Sequence, residues 1–174
     1  MQRLLALLFV FSLAGKCGAA PEDVILLGHF SNQKVTHDAD PHFISGYSVS
    51  LYRIDQNFFG DIGVAVGSAE PAGGQLYDIE FDPVSKKLSF KAKYSGGREF
   101  PKGLGPDGRN SRALLTFTGK LSRKSLAGTV VLQDGYSLEK AGAKSYEVMK
   151  REKDDYKPRS LVEWGEYRND VVDW

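Results

Sequence analysis

Apolar and polar positions alternate along most of this chain, and two stretches alternate in a way that can be folded onto each other. Phe117, Gly119 and Leu121 alternate with Thr116, Thr118 and Lys120; after Ser122-Arg123-Lys124-Ser125 the pattern resumes with Leu126, Gly128, Val130 and Leu132. An antiparallel fold about that loop sets Leu121 opposite Leu126, Gly119 opposite Gly128, Phe117 opposite Val130 and Leu115 opposite Leu132. Thr118–Thr129 and Lys120–Ala127 then share the other face. A single register gathers the large apolar groups on one side, as a half-buried antiparallel sheet requires. Gln75–Phe81 and Lys87–Tyr94 form a second predicted hairpin, pairing Phe81 with Leu88, Ile79 with Phe90 and Tyr77 with Ala92. On its polar face Asp78 meets Lys91, an opposite-charge cross-strand pair.

Extending the reading predicts eight strands: Val24–Phe30, Ile44–Ile54, Phe59–Ser68, Gln75–Phe81, Lys87–Tyr94, the two of the first hairpin, and Lys144–Lys150. Turn-forming residues fall between them at Pro71-Ala72-Gly73-Gly74, Asp82-Pro83, Ser95-Gly96-Gly97 and Asp134-Gly135. Consecutive hairpins with no long crossover predict an all-β fold, a single eight-stranded antiparallel up-and-down barrel whose closure removes exposed edges. After the charge run Lys150–Pro158, Ser160 and Glu163 make a capping box. Leu161, Trp164, Tyr167, Val171 and Trp174 fall at helical spacing, predicting a C-terminal amphipathic helix over 159–174. Its stripe is expected to pack on the outside of the sheet or to close one barrel end.

The first residues change the picture of where the barrel resides. Arg3 precedes an uncharged run from Leu4 to Ala14, too short to span a bilayer, and small residues follow at Gly18-Ala19-Ala20. This predicts a signal peptide over 1–19, with the barrel domain over 20–158, and a secreted or periplasmic protein. Lipid anchoring at Cys17 is the lesser alternative, because Lys16 stands where a lipobox has a small residue. Cleavage after Ala19 removes the only cysteine, so the domain is expected to rely on burial without disulfides. It also removes Arg3 and Lys16 from 23 basic residues, leaving 21 against 22 acidic ones, a net charge of −1. That near-neutral balance argues against a nucleic-acid partner, and no further apolar run is long enough for a transmembrane segment.

Candidate chemistry is sparse. His37-Asp38-Ala39-Asp40-Pro41-His42 is the one dense group of potential metal ligands, and it reads more simply as an exposed polar loop. Gly103-Leu104-Gly105-Pro106-Asp107-Gly108 matches a dinucleotide fingerprint by letter, but Pro106 removes a donor and no helix pattern follows. No nucleophile elbow or zinc-protease motif occurs, and Asp78 and Glu80 lie on the polar face. No catalytic residue, metal or cofactor is therefore expected. The predicted inward face carries Tyr47, Tyr77, Ile79, Phe81, Phe90, Tyr94 and Phe117, which line either a packed core or a ligand-holding lumen.

An export leader, eight antiparallel strands in sequence and a helix after the last strand resemble the lipocalin-like (calycin) β-barrels, by architecture. Lipocalins open with Gly-x-Trp on the first strand, where this chain has Gly28-His29-Phe30. The last-strand Arg that stacks on that Trp has a candidate in Arg151. The resemblance implies an extracytoplasmic barrel that binds small apolar molecules in its lumen, and no site residues are carried over. The leading expectation is thus a non-enzymatic exported barrel holding a small, partly apolar ligand or lipid. The alternatives are a filled barrel acting as a protein-interaction module through the 95–110 loop or the C-terminal helix, and an enzyme with a site near loop 37–42.

Overall fold

A computed structural model describes residues 23–35, 43–68, 70–153, 156–158, 160–167 and 174. Its eight long strands are β1 (Ile25–Ser31), β2 (Ile44–Ile54), β3 (Asn57–Ser68), β4 (Ala72–Phe81), β5 (Lys87–Tyr94), β6 (Ala113–Leu121), β7 (Ser125–Asp134) and β8 (Ala143–Glu152). Each pairs antiparallel with the next, and β1 pairs with both β2 and β8, so the sheet closes into an up-and-down barrel of lipocalin-like architecture. Lys34–Val35 extends the sheet beside Ser45 and Ile44. Within the long β5–β6 connection, Arg98–Glu99 and Arg109–Asn110 form a separate two-stranded ribbon.

The connectivity sorts the turns by end. β1 starts and β8 finishes at one end, which also holds the β2–β3, β4–β5 and β6–β7 turns; the opposite end holds the β1–β2, β3–β4, β5–β6 and β7–β8 connections. We refer to these as the tight-turn end and the loop end.

The β6–β7 register is the one its alternation predicts at every pair, from Leu121 with Leu126 to Leu115 with Leu132. The facing glycines have a packing cause. A Cβ on Gly119 would lie 2.6 Å from Phe117 Cζ, and one on Gly128 would lie 2.9 Å from it, so both positions make room for the Phe117 ring. That ring stacks on Phe90 with centroids 4.9 Å apart, and both are about 1% exposed or less. All eight strands add to this core, for example Phe30, Leu51, Ile62, Leu76, Leu88, Leu115, Leu126 and Met149. Burying each such side chain contributes about 1.5–3 kcal/mol.

The β4–β5 hairpin follows its predicted register at Phe81–Leu88 and then departs from it. The pairing shifts between Glu80 and Tyr77, giving Tyr77–Lys91 and Leu76–Ala92 in place of Tyr77–Ala92. Asp78 sits at φ 50°, so a bulge there inserts one residue and inverts the side-chain parity beyond it. Leu76, 5% exposed, takes the inward place expected for Tyr77, which is only half-buried. Asp78 still reaches Lys91, at 2.9 Å. The predicted turn at 71–74 is also corrected: Ala72, Gly73 and Gly74 belong to β4, paired with Val64, Gly63 and Ile62. A side chain at Gly74 would lie 2.6 Å from the Lys93 carbonyl, so glycine serves close strand approach there.

A short helix α1 (Leu161–Tyr167) follows, capped by Ser160 Oγ accepting from the Glu163 amide at 3.1 Å. It packs outside the barrel: Trp164 sits edge-on to Phe59 at 5.3 Å, over a cluster of Val24, Tyr52, Ile54 and Phe59. Tyr52, on the outer face of β2, is buried for this reason. Trp174 is not on that helix; it packs beside Gly135 and Arg112, with Lys93 Nζ 4.9 Å above its ring. Residues 168–173 of the helix expected over 159–174 lie outside the described residues. The predicted leader, with Cys17, and loop 37–42 lie outside the described residues.

Candidate functional site

The seven residues expected to line a lumen occupy three levels of the barrel and its outside. Phe90 and Phe117 fill the middle as a stacked pair. Tyr47 and Tyr94 lie toward the loop end, Phe81 toward the tight-turn end, and Ile79 packs half-buried against the core. Tyr77 is displaced outward by the bulge, near Lys91 and Asp78.

At the loop end, burial pushes the Tyr94 phenol up to about 12, with Tyr47 adding to the rise. Tyr47 is raised too, first by burial and then by Glu147, against a hydrogen bond with Ser145. Asn32 binds this corner together: its Nδ2 donates to Glu147 at 2.7 Å and its Oδ1 accepts from the Tyr47 amide at 2.7 Å. The adjoining cleft of about 390 Å³ is lined by polar groups including Lys34, Ser45 and Glu147. Glu147 and the Tyr47 amide are thus already engaged by Asn32.

The tight-turn end differs. A cleft of about 670 Å³ has Leu27, Phe81 and Leu121 among its lining, together with Lys86, Lys120, Arg123 and Arg151, Ser85 and Ser122, and no acidic residue. Local sequence accounts for each wall. β1 carries a bulge between Leu26 and Gly28, which lets Leu27 and Phe30 both turn inward. The β4–β5 turn is built by Asp82, which accepts from Ser85 Oγ at 2.5 Å and from the Val84 amide at 2.9 Å. These bonds, led by Ser85, hold the Asp82 carboxyl below its ordinary value. Lys86 then takes a left-handed conformation at φ 60°. Ser122 and Ser125 close the β6–β7 turn through a 3.0 Å hydroxyl pair, and Arg123 extends from it.

Arg151 joins these walls. Its Nε donates to the Arg123 carbonyl at 2.7 Å, Nη2 donates to the Leu27 carbonyl at 2.5 Å, and its guanidinium lies 4.8 Å from the Phe30 ring centroid. Gly28 is required beneath it: at φ 152°, an added Cβ would lie 2.4 Å from Arg151 Nη1. The Gly-x-aromatic and last-strand Arg thus meet in space, with Phe30 in the aromatic place.

His29 is bound on the barrel's outer face, with Nδ1 3.0 Å from Ser50 Oγ and Nε2 2.9 Å from the Tyr156 carbonyl. Among the described residues no three His, Cys, Asp or Glu side chains converge as a metal site would need. The Gly103–Gly108 segment is an exposed pair of turns leading into the Arg109–Asn110 ribbon, not into a helix. No described helix is long and apolar enough to cross a membrane. Leu27, Leu121 and the four cations were not singled out by the sequence pattern as site residues. The available signal was the pair of basic turns, Lys86-Lys87 and Arg123-Lys124, which up-and-down topology places at one end.

What the fold defines is a closed, eight-stranded antiparallel barrel with a filled centre and an apolar-floored cleft at one end. No protein family's sequence profile matches the chain, and no curated protein or solved structure matches it either.

Proposed function

We propose that this is a non-enzymatic, exported barrel of the lipocalin-like group that binds a small, partly apolar ligand at its tight-turn end. The observation that carries the reading is the cleft of about 670 Å³ floored by Leu27, Phe81 and Leu121, within the range of about 300–1,000 Å³ that small-molecule sites occupy. The packed Phe90–Phe117 level argues for a ligand seated at the barrel end instead of deep in the lumen. Kinship with the calycins is supported by Arg151 packing over Phe30 and Gly28, and fold likeness alone does not carry the binding claim.

The test uses N-phenyl-1-naphthylamine, a neutral apolar fluorophore. Saturable enhancement at one probe per chain is expected, with loss in Leu121→Glu while the far-ultraviolet circular dichroism stays unchanged. No saturable enhancement, or the same enhancement in a folded Leu121→Glu variant, overturns the proposal.

A second reading has its own observation. Phe100 and Leu104 are 67% and 43% exposed on the 95–110 segment, as a protein-interaction loop would present them. Retention of a partner from the native host by the wild type, lost in Phe100→Ser, would favour it.

A further inference from the structure

We infer that the tight-turn cleft is selective for a monomeric, single-chain anionic amphiphile, its tail on Leu27, Phe81 and Leu121 and its headgroup among Lys120, Arg123 and Lys86. This rests on the binding reading above and goes beyond it by assigning the headgroup's charge.

Three observations combine. First, the lining holds four cations and no carboxylate, although the whole chain carries 23 basic and 22 acidic residues. The positive field is therefore local, a product of where the turns converge, and it complements an anion. Second, the acid of the β4–β5 turn is already engaged: Asp82 is folded into its own turn, accepting from Ser85 and Val84. Among the described residues, Lys86, Lys120 and Arg123 form no ion pair; those present join Lys91 to Asp78 and Arg109 to Glu99. Third, Arg151 is held in place by two carbonyls and the Phe30 ring. It supplies fixed charge at the wall, whereas the exposed Lys120 and Arg123 side chains are free to close on a headgroup. Apolar floor and cationic rim at one opening match a molecule with one tail and one anionic end.

The experiment compares dodecyl sulfate and dodecanoate with neutral dodecyl maltoside and cationic dodecyltrimethylammonium. Each is titrated below its micelle concentration, against the full chain, by displacement of N-phenyl-1-naphthylamine. The anions are expected to bind about tenfold or more tighter than the neutral and cationic probes, because one to two charge-assisted hydrogen bonds correspond to that ratio. The preference is expected to shrink as salt rises. In Lys120→Ala/Arg123→Ala, the anions should lose about tenfold in affinity, and the preference for anionic over neutral probes should fall with it.

Equal affinities for anionic and neutral probes, with naphthylamine binding intact, overturn the charge assignment and leave the cleft reading standing. Failure of the naphthylamine itself overturns both. Phosphatidylglycerol vesicles serve as the membrane-surface arm: charge-dependent binding to them without binding of the monomeric anions also overturns the inference.

Discussion

Replacing Arg151 tests how the ring is closed. The β1–β8 seam contains three residue pairs, His29–Glu152, Phe30–Arg151 and Ser31–Lys150, against eight between β7 and β8. So short a ladder leaves the joint dependent on side chains, and Arg151 is one that reaches both sides. It bonds Leu27 at the start of β1 and Arg123 in the β6–β7 turn while lying over Phe30. A hydrogen bond from a charged donor contributes about 1.5–3 kcal/mol, but this side chain is exposed. Competition from water brings each bond to about 1 kcal/mol, and the cation–π contact adds about 0.5–1 kcal/mol. Arg151→Ala is thus expected to cost about 2–3 kcal/mol. Arg151→Lys should cost within about 1 kcal/mol of that, because an ammonium keeps the charge yet cannot bridge two carbonyls and cover a ring at once.

Urea unfolding followed by far-ultraviolet circular dichroism reads this as a midpoint lowered by about 1 M, given slopes of about 1–3 kcal/mol/M. A double-mutant cycle with Gly28→Ala adds a geometric check. In the wild type the new methyl meets Arg151 Nη1 at 2.4 Å; with Arg151→Ala that clash disappears, and only the cost of φ 152° remains. A coupling of about 1 kcal/mol or more is expected. Arg151→Lys within about 0.5 kcal/mol of the wild type, or no coupling to Gly28, would refute the account, since charge alone would then suffice.

Gly119→Ala is expected to destabilise by about 1–3 kcal/mol, read by thermal melting. Its Cβ would lie 2.6 Å from Phe117 Cζ and 2.2 Å from the Ala127 carbonyl, so an unchanged melt would show that the Phe117 ring does not occupy that space. Tyr94 gives an alkaline signature. Its folded value of about 12 lies above the ordinary 10.0, so the neutral phenol favours the fold and ionisation favours the unfolded chain. That stability is fully present below about pH 10 and is lost as pH rises through about 12, a change of about 2–3 kcal/mol. Urea midpoints across this window should fall more steeply for wild type than for Tyr94→Phe, and parallel curves would contradict the buried placement.

Most of the fold was legible because period-two alternation is a direct physical consequence of a sheet with one buried face. The β6–β7 pairing could be worked out to the residue, since neither strand is interrupted and a short turn sets the register. The same arithmetic failed between Tyr77 and Glu80, where it ran through a bulge. Asp tolerates the left-handed conformation, yet nothing about Asp78 in the pattern distinguishes a bulged aspartate from an ordinary outward one. One inserted residue then exchanged Leu76 for Tyr77 on the inner face. Trp174 shows how little spacing says about contacts. Helical spacing was satisfied through that residue, but Trp164 found the Phe59 cluster while Trp174 found Arg112 and Gly135.

The site was harder to see than the fold because alternation reports which face a residue occupies and says nothing of its height in the barrel. Seven inward candidates looked like one lining, and they separate by level: Phe81 at the cleft, Phe90 with Phe117 sealing the middle, and Tyr47 with Tyr94 beyond the seal. Height is set by strand length, tilt and stagger, which are joint properties of all eight strands. The turns escape that difficulty, since their end of the barrel follows from counting strands alone. Lys86-Lys87 and Arg123-Lys124 close the fourth-to-fifth and sixth-to-seventh strand connections, so they must lie together, and β8 must bring Arg151 back to the same end. Charge placed by topology at one opening, above side chains sorted inward by alternation, defines this cleft more securely than any single motif along the chain.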